Sequence, residues 1–500
     1  MKIKGIQNIG LSLVLLAFAG WIGLLFMNNY KLTSSIISSE IEESVSYQEV
    51  LKPIIDKPYD SVFGFVKEAN ALINEFNSEK DSEKAYDQKL DAGKVINLTK
   101  ASASGYLVEN PGKLGTIVLL LLLAGCALYF FPELGKSAGI KNDGIWESAA
   151  TSAKWLGLIM AAIMVGFYIA LYFYPAYLAN WLLVLDPLSN TLNGGNASQW
   201  FLYGVLYTVA VVVMGVRMLI KYRHNNYQMI RTGSVMFFQL IFAFLIPEIL
   251  SKLNMASADL KNMWPLDYTF FFDYRIDEKI QAGSFGIFLL VWGIALFSLG
   301  VPILTYFYGK RWYCSWVCGC GGLAETLGDP FRQLSSKKLK AWQIERYLIH
   351  FVLVFAVVMT AGVLYTYFTG NSSLFGLTDS GTLRYYYGFA IGSIFSGVVG
   401  TGFYPIMGNR VWCRFGCPLA AYLGLVQRFK SRFRITTNGG QCISCGNCST
   451  YCEQGIDVRW YAQRGQDIVR SSCVGCGICS AVCPRGVLNL ENGPAETRNI

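Results

Sequence analysis

Histidine is almost missing from this sequence of 500 residues, which contains only His224 and His350. A haem held by two histidines needs both rings at one level of a helical bundle. Covalent haem attachment needs a C-x2-C-H motif, which the sequence does not contain. We therefore expect no haem. His224 lies in a basic loop, and we interpret His350 as structural. The sequence shows no flavin-attachment signature either, so we expect no flavin.

Charged residues are scarce as well, at 15%, whereas 53% of the residues are hydrophobic. Apolar stretches of about 20 residues, the length of a helix that crosses a bilayer, recur along the chain. They predict eight transmembrane helices, at roughly 8–27, 114–132, 151–175, 200–220, 233–251, 284–308, 346–368 and 386–407. The first should be an uncleaved anchor, because its apolar core is longer than that of a signal peptide and no small-x-small site follows it.

Lysine and arginine are missing from the whole stretch 176–199, but they are concentrated in the segments 221–231, 309–345 and 410–434. Positively charged loops stay in the cytoplasm. This asymmetry predicts that both termini and the three basic segments are cytoplasmic, and that residues 28–113 lie outside. The net charge of +9 then reflects membrane topology, so no nucleic-acid partner is expected.

Cysteine is missing from every loop that this orientation places outside. Thirteen of the 14 cysteines fall on the predicted cytoplasmic side, and Cys126 lies within a predicted span. Free thiols and metal clusters suit a reducing compartment. The cysteine distribution therefore agrees with the orientation that the basic residues predict.

Eight cysteines form two copies of the run C-x2-C-x2-C-x3-C near the end of the sequence. This run is typical of bacterial ferredoxins, in which the fourth cysteine of each run binds the cluster of the other run. Zinc is the alternative, but zinc sites usually show isolated C-x2-C pairs. We predict one [4Fe–4S] cluster at "tail site 1" and another at "tail site 2". The ligands of tail site 1 are Cys442, Cys445, Cys448 and Cys483, and those of tail site 2 are Cys473, Cys476, Cys479 and Cys452.

A repeat precedes the tail. Residues 309–318 and 408–417 align without gaps as G-[KN]-R-x-[YW]-C-x3-C. Residues four apart share one face of a helix, so each copy should present two thiols in one direction. The two pairs predict a further iron–sulfur site, the "interface site", although cysteine also occurs as a small buried hydrophobic residue. Its predicted ligands are Cys314, Cys318, Cys413 and Cys417, with Cys320 as an alternative ligand.

Two C-x3-C motifs followed by a tail for two clusters resemble the membrane polyferredoxins of the NapH, NosR and CcoG type. The resemblance covers about 284–500, and the sequence departs from the family pattern where Gly319, rather than proline, follows Cys318. It implies a multi-pass protein of the bacterial inner membrane. It also implies electron transfer between the quinone pool or a cytoplasmic donor and a respiratory or maturation partner.

The sequence as a whole predicts an all-α polytopic membrane protein with an α+β dicluster ferredoxin domain. We divide it into an anchor (1–27), an extracytoplasmic segment (28–113), a transmembrane region outside the resemblance (114–283), hairpins with the paired motifs (284–434) and the ferredoxin domain (435–500). The predicted function is an electron relay, as an oxidoreductase or a subunit of one. A maturation factor that reduces a metal centre and a redox sensor are the alternatives. Expected partners are other complex subunits, a quinone or a soluble ferredoxin.

Overall fold

The computed structural model describes residues 3–41, 44–79, 90, 92–136, 138, 154–371, 373–376 and 378–493. The first residues of the third predicted span (151–153) and the last of the ferredoxin domain (494–500) lie outside the described residues. The chain divides into two compact units. One comprises Met1–Glu133 and Ile169–Leu206, and the other comprises Leu134–Tyr168 and Tyr207–Ile500.

Seven helices among the described residues are long and apolar enough to cross a membrane. They are Lys4–Phe26, Pro111–Gly135, Trp155–Phe173, Gln199–Tyr222, Asn226–Lys252, Gly283–Tyr308 and Leu339–Thr369. The eighth predicted span falls on the helix Ser380–Tyr387 and the π-helix Gly388–Val399, which are not among the seven. That stretch starts with polar residues and ends at Val399, so it is shorter and less apolar than the prediction. The predicted fold class is confirmed.

The first unit joins two membrane helices to a small soluble core. Helices Ile3–Gly23 and Pro111–Phe130 pack closely, since a Cβ on Gly10 would lie 2.7 Å from the Gly125 carbonyl oxygen. The soluble helices are Ser34–Glu40, Ser44–Leu51, Val62–Glu79, Val95–Ala101 and Tyr106–Glu109, and the helix Ala179–Leu192 completes the unit. Strand Asn29–Lys31 lies between Pro58–Tyr59 and Ala103–Ser104 in an antiparallel sheet.

The second unit contains the helices that surround the cysteines. In chain order its principal helices are Asn226–Phe237, Phe238–Leu245 (π), Ile246–Lys252, Asp273–Gln281, Gly283–Ala295, Leu296–Gly300 (π), Val301–Tyr308, Arg311–Cys314, Gly319–Glu325, Leu339–Thr369, Tyr404–Met407, Trp412–Gly416 (π) and Pro418–Lys430. A two-stranded hairpin, Ser373–Leu374 with Thr378–Asp379, follows the longest helix.

The tail contains three short helices, Asn447–Thr450, Val458–Gln463 and Ile478–Ala481. Its two strands, Phe433–Thr437 and Leu488–Asn492, pair antiparallel with Phe433 opposite Asn492. The strands bring the start and the end of the tail together around the eight cysteines. This arrangement is the α+β tail that the sequence predicts.

Residues 253–272, here called the re-entrant segment, lie between the helices Asn226–Lys252 and Asp273–Gln281. The predicted orientation makes this connection an outer loop. The segment folds back between the helices: Trp292 Nε1 donates to the Leu260 carbonyl (2.8 Å), and Trp264 Nε1 donates to Thr360 Oγ1 (2.9 Å). Trp292 and Thr360 each lie nine residues from the end of their helix. At 1.5 Å per residue, the segment therefore enters the bundle by about 14 Å.

Candidate iron–sulfur sites

Tail site 1 is a small cavity lined by all four of its predicted cysteines, Cys442, Cys445, Cys448 and Cys483. Ser444 and Gly446 have positive φ angles of 58° and 82°. These left-handed residues turn the loop around the cavity, so that three closely spaced cysteines face one side of it. Cys445 is exposed and Cys448 is buried. The site therefore lies near the protein surface.

Tail site 2 is a second small cavity, lined by Cys452, Cys473, Cys476 and Cys479. Gly475 and Gly477 repeat the left-handed turns, with φ angles of 61° and 75°. Each cavity thus receives three cysteines from one run and the fourth cysteine of the other run. The structure brings together both predicted sets, and ligation by them stays a prediction.

The two cavities offer the donor set that an iron–sulfur cluster needs. Backbone N–H groups of Ile456 and Val487 donate to Cys452 Sγ and Cys483 Sγ, each at 3.4 Å. Burial raises the pKa of Cys448 to about 12 and that of Cys473 to about 11. Such thiols lose their protons when a metal shares the charge, so cluster binding and deprotonation are coupled. Four convergent thiols with amide donors fit a cluster at each site.

The interface site gathers the two C-x3-C pairs. Cys314, Cys318, Cys413 and Cys417 are all buried and belong to one core cluster. Burial raises the pKa of Cys314 to about 12, and the neighbouring Cys318 and Cys413 also raise it. Both copies of the repeat therefore contribute thiols to one place, as the repeat predicts.

The local structure of the pairs differs from the prediction that each lies on one helix. Cys314 ends the helix Arg311–Cys314, and Cys318 adopts extended backbone before the next helix. In the second copy, Cys417 is also extended, and Pro418 begins the following helix because proline cannot continue the preceding one. The Ala420 N–H then donates to Cys417 Sγ (3.3 Å). The second cysteine of each pair thus lies at the N-cap position of a new helix, and Cys417 also accepts a capping hydrogen bond.

Cys320 lies in the same cluster as Cys318. A hydrogen bond from Cys320 is the main reason that the pKa of Cys318 is lowered to about 6; the Gly321 N–H and the charge of Lys261 act in the same direction. Five thiols therefore lie close enough to share four ligand positions. Cys320 stays an alternative ligand.

A buried network of arginines and carboxylates connects the interface site to tail site 2. Arg410 Nη1 lies 3.5 Å from Cys413 Sγ, and its Nη2 pairs with Glu325 Oε1 (2.8 Å) and Glu453 Oε1 (2.9 Å). The carboxylate oxygens of Glu325 and Glu453 and the Cys476 Sγ lie within 4.8 Å of one another. One guanidinium and two carboxylates therefore separate a predicted interface ligand from a predicted tail ligand.

Further cations neutralise these carboxylates. Arg332 contacts Glu325 Oε2 and Glu453 Oε2, each at 2.7 Å, and Arg231 Nη1 contacts Glu325 Oε1 at 2.7 Å. Because three guanidinium groups surround the two carboxylates, we interpret this group as an ion-pair network rather than a metal site. Removing one partner of a buried pair typically costs about 3–5 kcal/mol.

In the sequence, the basic residues of these segments indicate only membrane topology. Six of them are at most 4% exposed: Lys221, Arg231, Lys310, Arg332, Arg410 and Arg414. Asp329 pairs with Arg217 and Lys221, and Glu345 pairs with Arg414. Acidic residues in the sequence could have indicated these buried ion pairs. Three carboxylates lie inside the basic segment 309–345, and Glu453 follows directly after Cys452.

The ligand loop of tail site 2 is hydrogen-bonded to residues before the tail along all of its length. Four consecutive carbonyl oxygens accept from four side chains: Cys473 from Gln427 (2.8 Å), Val474 from Ser315 (2.7 Å), Gly475 from Tyr227 (3.0 Å) and Cys476 from Gln228 (2.9 Å). Each such bond contributes about 0.5–1.5 kcal/mol. Tyr227 and Gln228 precede residue 284, where the family resemblance begins. Sequence comparison with that family could therefore not have found them.

The surroundings of tail site 1 are different. Its lining includes two arginines, Arg459 and Arg485, and no acidic residue. Both arginines are exposed, and Ile443 is 54% exposed. The rim of tail site 1 is therefore basic, partly apolar and open to solvent.

Comparison with known proteins supports these sites. Residues 290–341 and 387–436 match a family described as a 4Fe-4S binding domain, and residues 434–484 match a 4Fe-4S dicluster domain. Over 157 residues the chain is 28% identical to the Escherichia coli (strain K12) protein named "Putative electron transport protein YccM". That alignment covers 30% of this chain and 43% of the relative. No solved structure matches the chain.

Each part of the first family match contains one C-x3-C motif, and the second match contains both tail runs. The chain therefore matches 4Fe–4S domains around both C-x3-C motifs as well as in the tail. The family matches and the convergent cysteines together indicate 4Fe–4S clusters as cofactors.

Proposed function

We propose that this protein is a membrane-bound iron–sulfur relay that moves electrons between a cytoplasmic partner and an acceptor in the membrane. The proposed order is tail site 1, tail site 2, interface site and then the acceptor, with flow possible in either direction. The observation that carries the proposal is the contact chain from Cys413 through Arg410 and Glu453 to Cys476. Electron tunnelling weakens steeply with distance, so short gaps between sites favour a relay.

The order of the sites follows from their surroundings. Tail site 1 has an exposed cysteine, Cys445, and can approach a soluble partner. Tail site 2 is held by Gln427, Ser315, Tyr227 and Gln228 through its ligand loop. Cys452 and Cys483 each cross from one run to the other cavity, which keeps the two tail sites adjacent. Tail site 2 is thus the intermediate carrier.

The basic rim of tail site 1 favours an acidic soluble partner, such as a small one-electron carrier of the ferredoxin class. Complementary charges increase the association rate, and this effect decreases as salt is added. Arg459 and Arg485 are the residues that would meet the acidic surface. Because they lie beside Cys445, binding there would bring the two redox centres close together.

The relay is tested by anaerobic purification, analysis of iron and sulfide, and EPR of the reduced protein. We expect about eight iron atoms in the tail and about four more at the interface site. Stopped-flow mixing with a quinone analogue should then oxidise all reduced clusters. A maturation factor and a redox sensor would contain the same clusters. Lack of sustained turnover with any quinone would favour either of them over the relay.

A further inference from the structure

The re-entrant segment carries an ion pair that the relay described so far does not use. Lys261 Nζ lies 2.5 Å from Asp259 Oδ2, and the two side chains are 8% and 21% exposed. The pair joins residues two positions apart on one segment. It therefore does not tie separate elements together, as the Arg410 and Arg332 pairs do.

The pair lies deep in the helical bundle. The Leu260 carbonyl accepts from Trp292, nine residues into one long helix, and Trp264 donates to Thr360, nine residues from the end of another. An entry of about 14 Å is close to half the thickness of a bilayer core. Irregular backbone at that depth is tolerated only where protein or a water-filled cavity surrounds it, and charged residues there usually serve a function.

The pair also lies beside the interface site. The Tyr313 hydroxyl donates to the Lys261 carbonyl (3.0 Å), and Tyr313 directly precedes Cys314 in the chain. Met263, two residues after Lys261, is fully buried in the core cluster that contains Cys314, Cys318, Cys413 and Cys417. An acceptor held by the pair would therefore be close to the predicted interface cluster.

Aromatic rings pack around Trp264, three residues after Lys261 on the same segment. The Trp264 ring packs edge-on against Phe297 and Phe271, with ring centroids 5.3 and 6.2 Å apart. A quinone headgroup is a flat apolar ring with two carbonyl acceptors, so it needs aromatic walls and a hydrogen-bond donor. An ammonium group has three donors, and the ion pair uses one of them.

We infer that Lys261 and Asp259 form a binding site for a quinone headgroup, with the Lys261 ammonium donating to one quinone carbonyl. The inference rests on the proposed relay, for which it names the acceptor and its position. One quinone takes two electrons, one at a time, from the reduced iron–sulfur sites through the interface site. It takes two protons from water and leaves as the quinol. The reverse reaction returns two electrons and two protons.

The test uses the full-length protein in detergent, with Lys261→Met and the near-isosteric Asp259→Asn. Lys252→Met, at an exposed position on the preceding helix, is the matched control. The reduced protein is mixed either with a short-chain ubiquinone analogue or with ferricyanide, a soluble oxidant that needs no quinone site. Iron content and EPR of all clusters are recorded first, so that loss of a cluster is not mistaken for loss of the site.

We expect Lys261→Met to reduce the rate of oxidation by quinone at least about tenfold, because hydrogen bonds from charged donors are the stronger ones. Oxidation by ferricyanide and the cluster signals should stay as in the parent, and Lys261→Arg should recover part of the rate. If Lys261→Met and Asp259→Asn keep intact clusters and react with quinone as fast as the parent, the inference is wrong.

Photolabelling with an azidoquinone separates this inference from the relay itself. We expect the label on residues 253–272 of the parent and its loss in Lys261→Met. If residues 253–272 are labelled but quinone does not oxidise the clusters, the proposed quinone site stands and the relay to quinone is contradicted. Cluster oxidation by quinone with the label elsewhere would keep the relay and overturn the site. If residues 253–272 are not labelled and the clusters are not oxidised, both the site and the relay to quinone are overturned.

Discussion

Tail sites 1 and 2 have the same ligand spacing and the same left-handed loop turns, but their surroundings differ. Tail site 1 has an exposed cysteine and two exposed arginines on its rim. Tail site 2 has a carboxylate network beside Cys476, and every carbonyl of its Cys473–Cys476 loop is hydrogen-bonded to a side chain from outside the tail. The ligand motif thus specifies the kind of cluster, and the neighbours specify its place in a relay.

The two copies of the C-x3-C repeat also share a motif but differ in their surroundings. Arg410 turns inward to Glu325 and Glu453. Its aligned partner Arg311 lies over the Phe433 ring (4.6 Å) and donates to Asn492 (2.8 Å). Both arginines hold the tail, but only Arg410 lies between two sets of cysteines. Identical residues in a repeat can therefore take different roles.

The largest expected effect comes from removing ligands of the two tail sites. Cys445→Ala and Cys476→Ala should each remove about half of the tail iron, because each cubane needs four thiolates. Cys445→Ala should leave the EPR signals of tail site 2, and Cys476→Ala should leave those of tail site 1. Zinc without iron in the anaerobically purified parent would contradict the cluster assignment.

At the interface site, Ala in place of Cys314, Cys318, Cys413 or Cys417 should lower the iron content by about four atoms. The EPR signals of the tail should persist, since the tail cavities have their own ligands. Cys320→Ala decides between the alternatives: full iron means that Cys314 and Cys318 are both ligands, and loss of iron means that Cys320 replaces one of them. If the four variants retain all iron, the pairs are structural.

The charge network should matter for both stability and transfer. Arg410→Gln leaves Glu325 and Glu453 with one guanidinium fewer and should cost about 3–5 kcal/mol in the free energy of unfolding. It should also slow electron exchange between the interface site and tail site 2, without loss of iron. Arg311→Gln is the matched control and should change stability less. Denaturant titration and time-resolved reduction measure the two effects.

The smallest effect concerns the basic rim. Arg459→Glu with Arg485→Glu should slow reduction by an acidic protein donor about tenfold at low salt, and the difference should shrink as salt screens the charges. Reduction by dithionite should not change. Lys430→Glu, at an exposed position outside the rim, is the control. A double variant that reacts at the rate of the parent at low salt would exclude this surface as the contact.

The features that could be predicted from the sequence are those that depend on residues close together in the chain. The tail cavities form from closely spaced cysteines, and hydropathy averaged over about 20 residues finds the long helices. The pairs Glu325 with Arg410 and Arg332 with Glu453 join residues 85 and 121 positions apart, so no local pattern shows them. The re-entrant segment was missed because hydropathy records composition and not the path of the chain. The C-x3-C spacing predicts continuous helices, although Pro418 already signals a break.

The central claim is that tail site 2 is the intermediate between tail site 1 and the interface site. The most direct measurement is freeze-quench EPR of the Cys476→Ala variant after mixing with a soluble reduced ferredoxin. We predict that tail site 1 is reduced at the rate of the parent and that the interface site stays oxidised, although dithionite still reduces it. Reduction of the interface site by the ferredoxin as fast as in the parent would contradict the account.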